Sequence, residues 1–116
     1  MHNDDKTRII HMIESAQSAQ EFIADKSFAD LRENKQLAFA IIRALEILGE
    51  AAAQTSQELR DSYPDIQWRD IISMRNKLIH AYFGVDLNMV WTVVKEELPP
   101  CRPAIVTLLA RLDDQK

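Results

Sequence analysis

Apolar residues recur three and four positions apart along nearly the whole chain, and almost nothing interrupts them. Only two glycines and four prolines occur in 116 residues, and three of the prolines crowd into residues 99–103. Such a chain has few places to turn sharply, so an all-α fold with short connections is predicted. The length suits one domain over residues 1–116, a small up-and-down helical bundle. No apolar stretch approaches the roughly 20 residues needed to span a bilayer. The opening Met1-His2-Asn3-Asp4-Asp5-Lys6 is polar and acidic and does not read as a signal peptide. With Cys101 as the one cysteine, no intramolecular disulfide can form, and a cytoplasmic location is expected. The net charge of −4 argues against holding nucleic acid by the overall field. Any contact with RNA would need a local cationic pocket.

Ile9, Ile13, Ala16, Gln20 and Ile23 give a first helix from Asp4 or Asp5 to about Ala24. The segment Asp25 to Asn34 reads as a turn with a short helical piece. A long helix then runs from about Lys35 to Gln54, with the stripe Ala38, Ile41, Ile42, Leu45, Leu48, Ala52. Thr55 and Glu58 fit a capping box for a short helix that ends at Tyr63-Pro64. The next helix is expected from about Gln67 to Tyr82, stopped by Gly84, and Asp86 caps another through about Glu97. Pro99, Pro100 and Pro103 are expected to break or kink the chain before a last helix over Ala104–Leu112.

The helix ending near Tyr82 holds the residues that need a chemical reason. At about 100° per residue, Trp68, Ile71, Ile72, Arg75, Leu78, Ile79 and Tyr82 share one broad face, so Arg75 projects among apolar neighbours. A guanidinium there must be paired. Glu46 and Glu50 on the long helix, one turn apart and on the face of Arg43, are the expected partners, and a purely structural ion pair is an equally good reading. Asn76 and His80, four residues apart, share a second face. Histidine can pass a proton near neutrality, although a lone helical histidine is more often packed or solvated. Arg75 and His80 stand roughly 140° apart on an ideal helix. They can cooperate only through a distorted helix end or a symmetric dimer with this helix at its interface.

Arg75-Asn76-x3-His80-x-Tyr82 resembles the Arg-x4-His-x-Tyr motif of the HEPN superfamily, in particular its HepT-like toxins. The surrounding Pro64–Ile71 and Met74–Asp86 stretches are similar to the family signature, and Arg43–Ala51 to its other signature helix. There the family more often carries asparagine than Ala44, so no polar role is assigned to that position. The resemblance covers nearly the whole chain. It implies a homodimeric, metal-independent endoribonuclease that needs no cofactor and whose two motifs face one cleft. His80 would move protons, Arg75 would hold phosphoryl oxygens, and Asn76 would orient phosphate or imidazole. Glu46, Glu50 and Arg43 would support Arg75 from behind. The resemblance further implies a nucleotidyltransferase antitoxin as partner, transferring AMP to Tyr82 and so blocking the substrate phosphate. Read without the resemblance, Tyr82 would be a core aromatic.

A non-catalytic helical module that binds nucleotide or a partner enzyme is the alternative, and the acidic charge favours it. His2 and His11 have no companions at metal-ligand spacing, and Cys101 lies among prolines without a His or Cys partner, so no metal site is expected. Trp68 and Trp91 read as core or dimer contacts rather than base-stacking platforms.

Overall fold

In the computed structural model, which describes residues 3–80 and 84–114, the protein is an all-α bundle. The first helix, α1 (Asn3–Ile23), buries Ile9, Met12, Ala16, Ala19 and Ile23 along one stripe. A short α2 (Phe28–Glu33) starts at Ser27, whose hydroxyl accepts from the Asp30 amide while the Asp30 carboxylate accepts from the Ser27 amide. That pairing holds the Asp30 carboxyl below its usual range. Asn34 then ends α2 and caps α3 (Lys35–Ala53), its side chain accepting from the Leu37 amide at 3.0 Å. The α3 helix packs against α1 on one side, and Ala38, Ile41, Leu45, Leu48 and Ala52 are buried as the stripe predicts.

The cap of the next helix lies one residue beyond the expected Thr55. Ser56 is the N-cap of α4 (Gln57–Ser62), accepting from the Leu59 amide. The buried Thr55 hydroxyl instead donates back to the Ala52 carbonyl at 2.7 Å. Arg60 reaches from α4 to the carbonyls of Ala52, Ala53 and Thr55, closing the C-terminal end of α3 with a charged donor. The buried Asp5 accepts from both the amide and the hydroxyl of Ser56, at 2.7 and 2.6 Å, and so ties the start of α1 to this corner.

After Tyr63 the chain enters α5 (Trp68–His80), which packs on the flank of α3 away from α1. Trp68 anchors its start, buried and donating its indole N–H to the Tyr63 carbonyl. Gly84 has φ +70°, the left-handed conformation expected of a stop after this helix. Asp86 caps α6 (Leu87–Thr92), accepting from the Asn88 and Met89 amides.

The prolines do not break the chain. A π turn over Val93–Glu97 follows α6 directly and passes into α7 (Leu98–Asp114), which runs through Pro99, Pro100 and Pro103. The Leu98 amide donates to the Val93 carbonyl, five residues back, so the helix widens just where the imino residues begin. Pro99 and Pro100 follow at once, so their missing N–H groups fall where the helix is already widened, and Pro103 sits on an exposed face. Ile105 and Leu108 of α7 are buried, and this helix packs along α1. Among the described residues, no helix is long and apolar enough to cross a membrane.

Replacing Asp5 by Ala removes two hydrogen bonds at a buried site and leaves the Ser56 groups without their acceptor. We expect a loss of about 2 kcal/mol, seen as a lower urea midpoint with an unchanged slope.

Candidate active site

The site is built at the seam between α3 and α5, and Gly49 sets how close they come. A Cβ at Gly49 would lie 2.2 Å from Cβ of Arg75 and 2.8 Å from its Cγ. The missing side chain therefore lets the stem of Arg75 rest directly on the backbone of α3. The Arg75 side chain is 19% exposed, and its Nη1 donates to Oε2 of Glu50 at 2.5 Å. Its Nε is buried and has no hydrogen-bond partner among the described residues. Arg75 thus lies at the edge of the core, with its stem packed and its head turned to Glu50.

Of the two glutamates expected to hold Arg75, Glu50 does so. Glu46 accepts from Arg43 at 3.5 Å within α3. Register explains the choice: the arginine stem meets α3 at Gly49, so its head emerges beside residue 50 and a full turn past residue 46. The Glu50 carboxylate also accepts from the Gln54 amide at 2.7 Å. The Gln54 bond first and the Arg75 pair second hold this carboxyl below its ordinary value of 4.5. Half-exposed ion pairs add only about 0–1 kcal/mol to stability, so the value of this one is orientation.

Asn76 and His80 are exposed on a different flank of α5. Helical geometry puts Ile72 and Ile79 between them and Arg75. No hydrogen bond joins Arg75 to Asn76 or His80 among the described residues. A single chain therefore presents two half-sites on one helix. Ile79 is 47% exposed and Phe39, on the outer face of α3, is 64% exposed. Tyr82 lies outside the described residues.

Gly49 was missed by sequence reading, because its meaning depends on a residue 26 positions away. His11 is on the surface of α1, and Cys101 is half-buried on α7. Burial first, and the Glu97 carboxylate second, push the Cys101 thiol up and keep it protonated. Trp91 packs edge-on against Phe28, with Lys95 over its ring. No group of three or more His, Cys, Asp or Glu among the described residues is placed to hold a metal ion.

The domain is all-α, with Arg75, Asn76 and His80 on one helix and the arginine paired with Glu50 of the neighbouring α3. The chain belongs to the ribonuclease HepT-like family, whose profile matches residues 12–108. It is 40% identical over 99 residues to a protein named "Probable ribonuclease HepT" from Thermococcus cleftensis, covering 85% of this chain and 90% of that one. It is 36% identical over 102 residues to a "Putative RNase" of Methanocaldococcus jannaschii, covering 88% and 94%. A longer protein of the same organism, named "Gamma-glutamylcyclotransferase and putative RNase", matches the whole chain at 38% identity with 52% of its own length. No solved structure matches the chain.

Two outcomes test this geometry. Gly49→Ala forces α3 and α5 apart and should cost about 1–3 kcal/mol, with Arg75 losing Glu50; chemical denaturation and the Arg75 Nε resonance would report both. Because the Glu50 carboxyl is depressed in the folded state, its stabilising effect is present above the ordinary glutamate range and is lost as pH falls through the lower folded value. The stability gap between the protein and Glu50→Gln should therefore be constant above about pH 5 and close on further acidification.

Proposed function

We propose that this ribonuclease-family protein is a metal-independent endoribonuclease of a toxin–antitoxin pair, working as a homodimer. The observation that carries the reading is α5 itself: Asn76 and His80 open to solvent beside an arginine fixed by Glu50. Cleavage by the ribose 2′-hydroxyl requires a proton acceptor, a proton donor and a cation at phosphorus. His80 takes the proton from the 2′-hydroxyl as its oxygen attacks phosphorus, and an imidazolium donates one to the leaving 5′-oxygen. Arg75 supplies planar donors to the non-bridging oxygens, and Asn76 orients the phosphate or the ring. Glu50 holds Arg75, and Arg43 pairs with Glu46 a turn earlier on α3.

The dimer is part of the reading because Arg75 and His80 face different ways on one helix. Phe39 and Ile79 are exposed, and Ile42 and Ile72 half-buried, on α3 and α5, the two helices of the seam. Burying them against a second copy removes apolar area from water and brings two α5 helices together. A local site of this kind also accommodates the net charge of −4, since substrate meets two arginines and two histidines rather than the whole field. The antitoxin would be a nucleotidyltransferase that adds AMP to Tyr82, setting an anion two residues past His80. This reading rests on the motif spacing alone. The whole chain would act as one cytoplasmic domain.

The purified protein should cut RNA in the presence of EDTA. His80→Ala should lower the rate by at least about 100-fold with the helical circular dichroism intact, and Arg75→Lys should fail to restore the loss seen in Arg75→Ala. Undiminished cleavage by His80→Ala would sink the assignment. Ile79→Asp should sediment as a monomer and lose activity together with the dimer. Co-expression with the nucleotidyltransferase should add AMP in whole units, and Tyr82→Phe should remain unmodified.

A further inference from the structure

A second feature lies on the opposite flank of α5 from His80. Between the first half of α5 and the π turn with α7 runs a cleft of about 400 Å³. Its floor is apolar, made by Leu48, Ile71, Met74, Val93 and Leu98. Its rim carries four carboxylates, Asp65, Asp70, Glu96 and Glu97, and its lining contains no lysine, arginine or histidine. Four of the 18 acidic residues of the chain line this one cleft. On α5 the lining residues Asp70, Ile71 and Met74 centre about 150° from the Asn76–His80 flank.

We propose that this cleft is a docking site for a basic segment of a partner protein, one that inserts an apolar side chain between flanking lysines or arginines. RNA is the wrong occupant, because four carboxylates repel phosphate. A small polyamine would satisfy the rim and leave the apolar floor wet. The acids come from three separate places, the turn before α5, its first turn, and the π turn, so they surround the opening rather than converge on one point. A cationic segment with an apolar anchor satisfies floor and rim together. The widened π turn contributes here: it carries Val93 on the floor and Glu96 and Glu97 on the rim in one stretch of backbone. The inference stands apart from the ribonuclease reading, since none of the cleft residues belongs to the half-sites on α5.

The test uses the full-length protein and a fluorescein-labelled helical peptide with two leucines on one face flanked by lysines. Anisotropy should report binding that weakens at least tenfold when the leucines become serine, or the lysines glutamate. Asp70→Asn/Glu97→Gln should weaken it at least tenfold, as should Glu96→Gln/Glu97→Gln, which leaves the first turn of α5 untouched. Glu14→Gln/Glu33→Gln, an equal charge change on distant exposed surfaces, should leave it within twofold. Bound peptide should also slow alkylation of Cys101, which lines the cleft. RNA cleavage by the cleft variants should stay within twofold. Absence of peptide binding overturns the proposal, as does equal binding by the cleft variants. Displacement by equimolar spermine would make the site a small-cation pocket, and loss of the dimer in the cleft variants would make it a contact between copies; either result overturns the proposal.

Discussion

The contact between Gly49 and the stem of Arg75 is the constraint on which the site depends. Two helices meet where one lacks a side chain, and the other fills the space with the methylenes of an arginine. Packing fixes the stem, and Glu50 fixes the head. A guanidinium held this way keeps its charge at the margin of the core without being sealed inside it. The energy of the ion pair is small at this exposure, while the steric constraint is severe. Position comes from packing, and charge direction from the carboxylate.

The rest of the bundle serves that seam. The α3 helix is sandwiched by α1 and α5, so any tilt of α3 moves the arginine. Its two ends are closed by side chains, Asn34 at the start and Arg60 over the last carbonyls. Asp5 then fastens the neighbouring corner to α1. The Arg60 and Asp5 links are half-buried, which makes them costly to break singly. By contrast Asn76 and His80 make no supporting bond among the described residues and stand in solvent, as groups awaiting a substrate or a second copy would.

The two flanks of α5 differ in sign. One presents histidine, asparagine and the edge of an arginine; the other overlooks a cleft rimmed by four acids. The same helix separates a face suited to anions from a face suited to cations.

Much of this was legible in the residues taken in order. The helical stripe of α3, the stop at Tyr63-Pro64, the Asp86 cap and the left-handed Gly84 all follow from local chemistry, which sequence records directly, whereas the stripe of α1 buries Met12 and Ala19 where Ile13 and Gln20 were expected. An acid of α3 beside Arg75 was expected too, with Glu46 and Glu50 both named, since an arginine among apolar neighbours needs one. Tertiary structure decided the rest. The cap at Ser56 rather than Thr55 depends on Asp5, some fifty positions away, taking the serine. Glu50 rather than Glu46 meets Arg75 because helix register, set by Gly49, aligns them. The prolines continue a helix because the π turn relieves them and α1 provides a surface for α7 to bury Ile105 and Leu108. The acidic cleft joins residues from distant segments that look like ordinary solvated charges when read singly. Local pattern determines which residues turn together; only packing determines which of them meet.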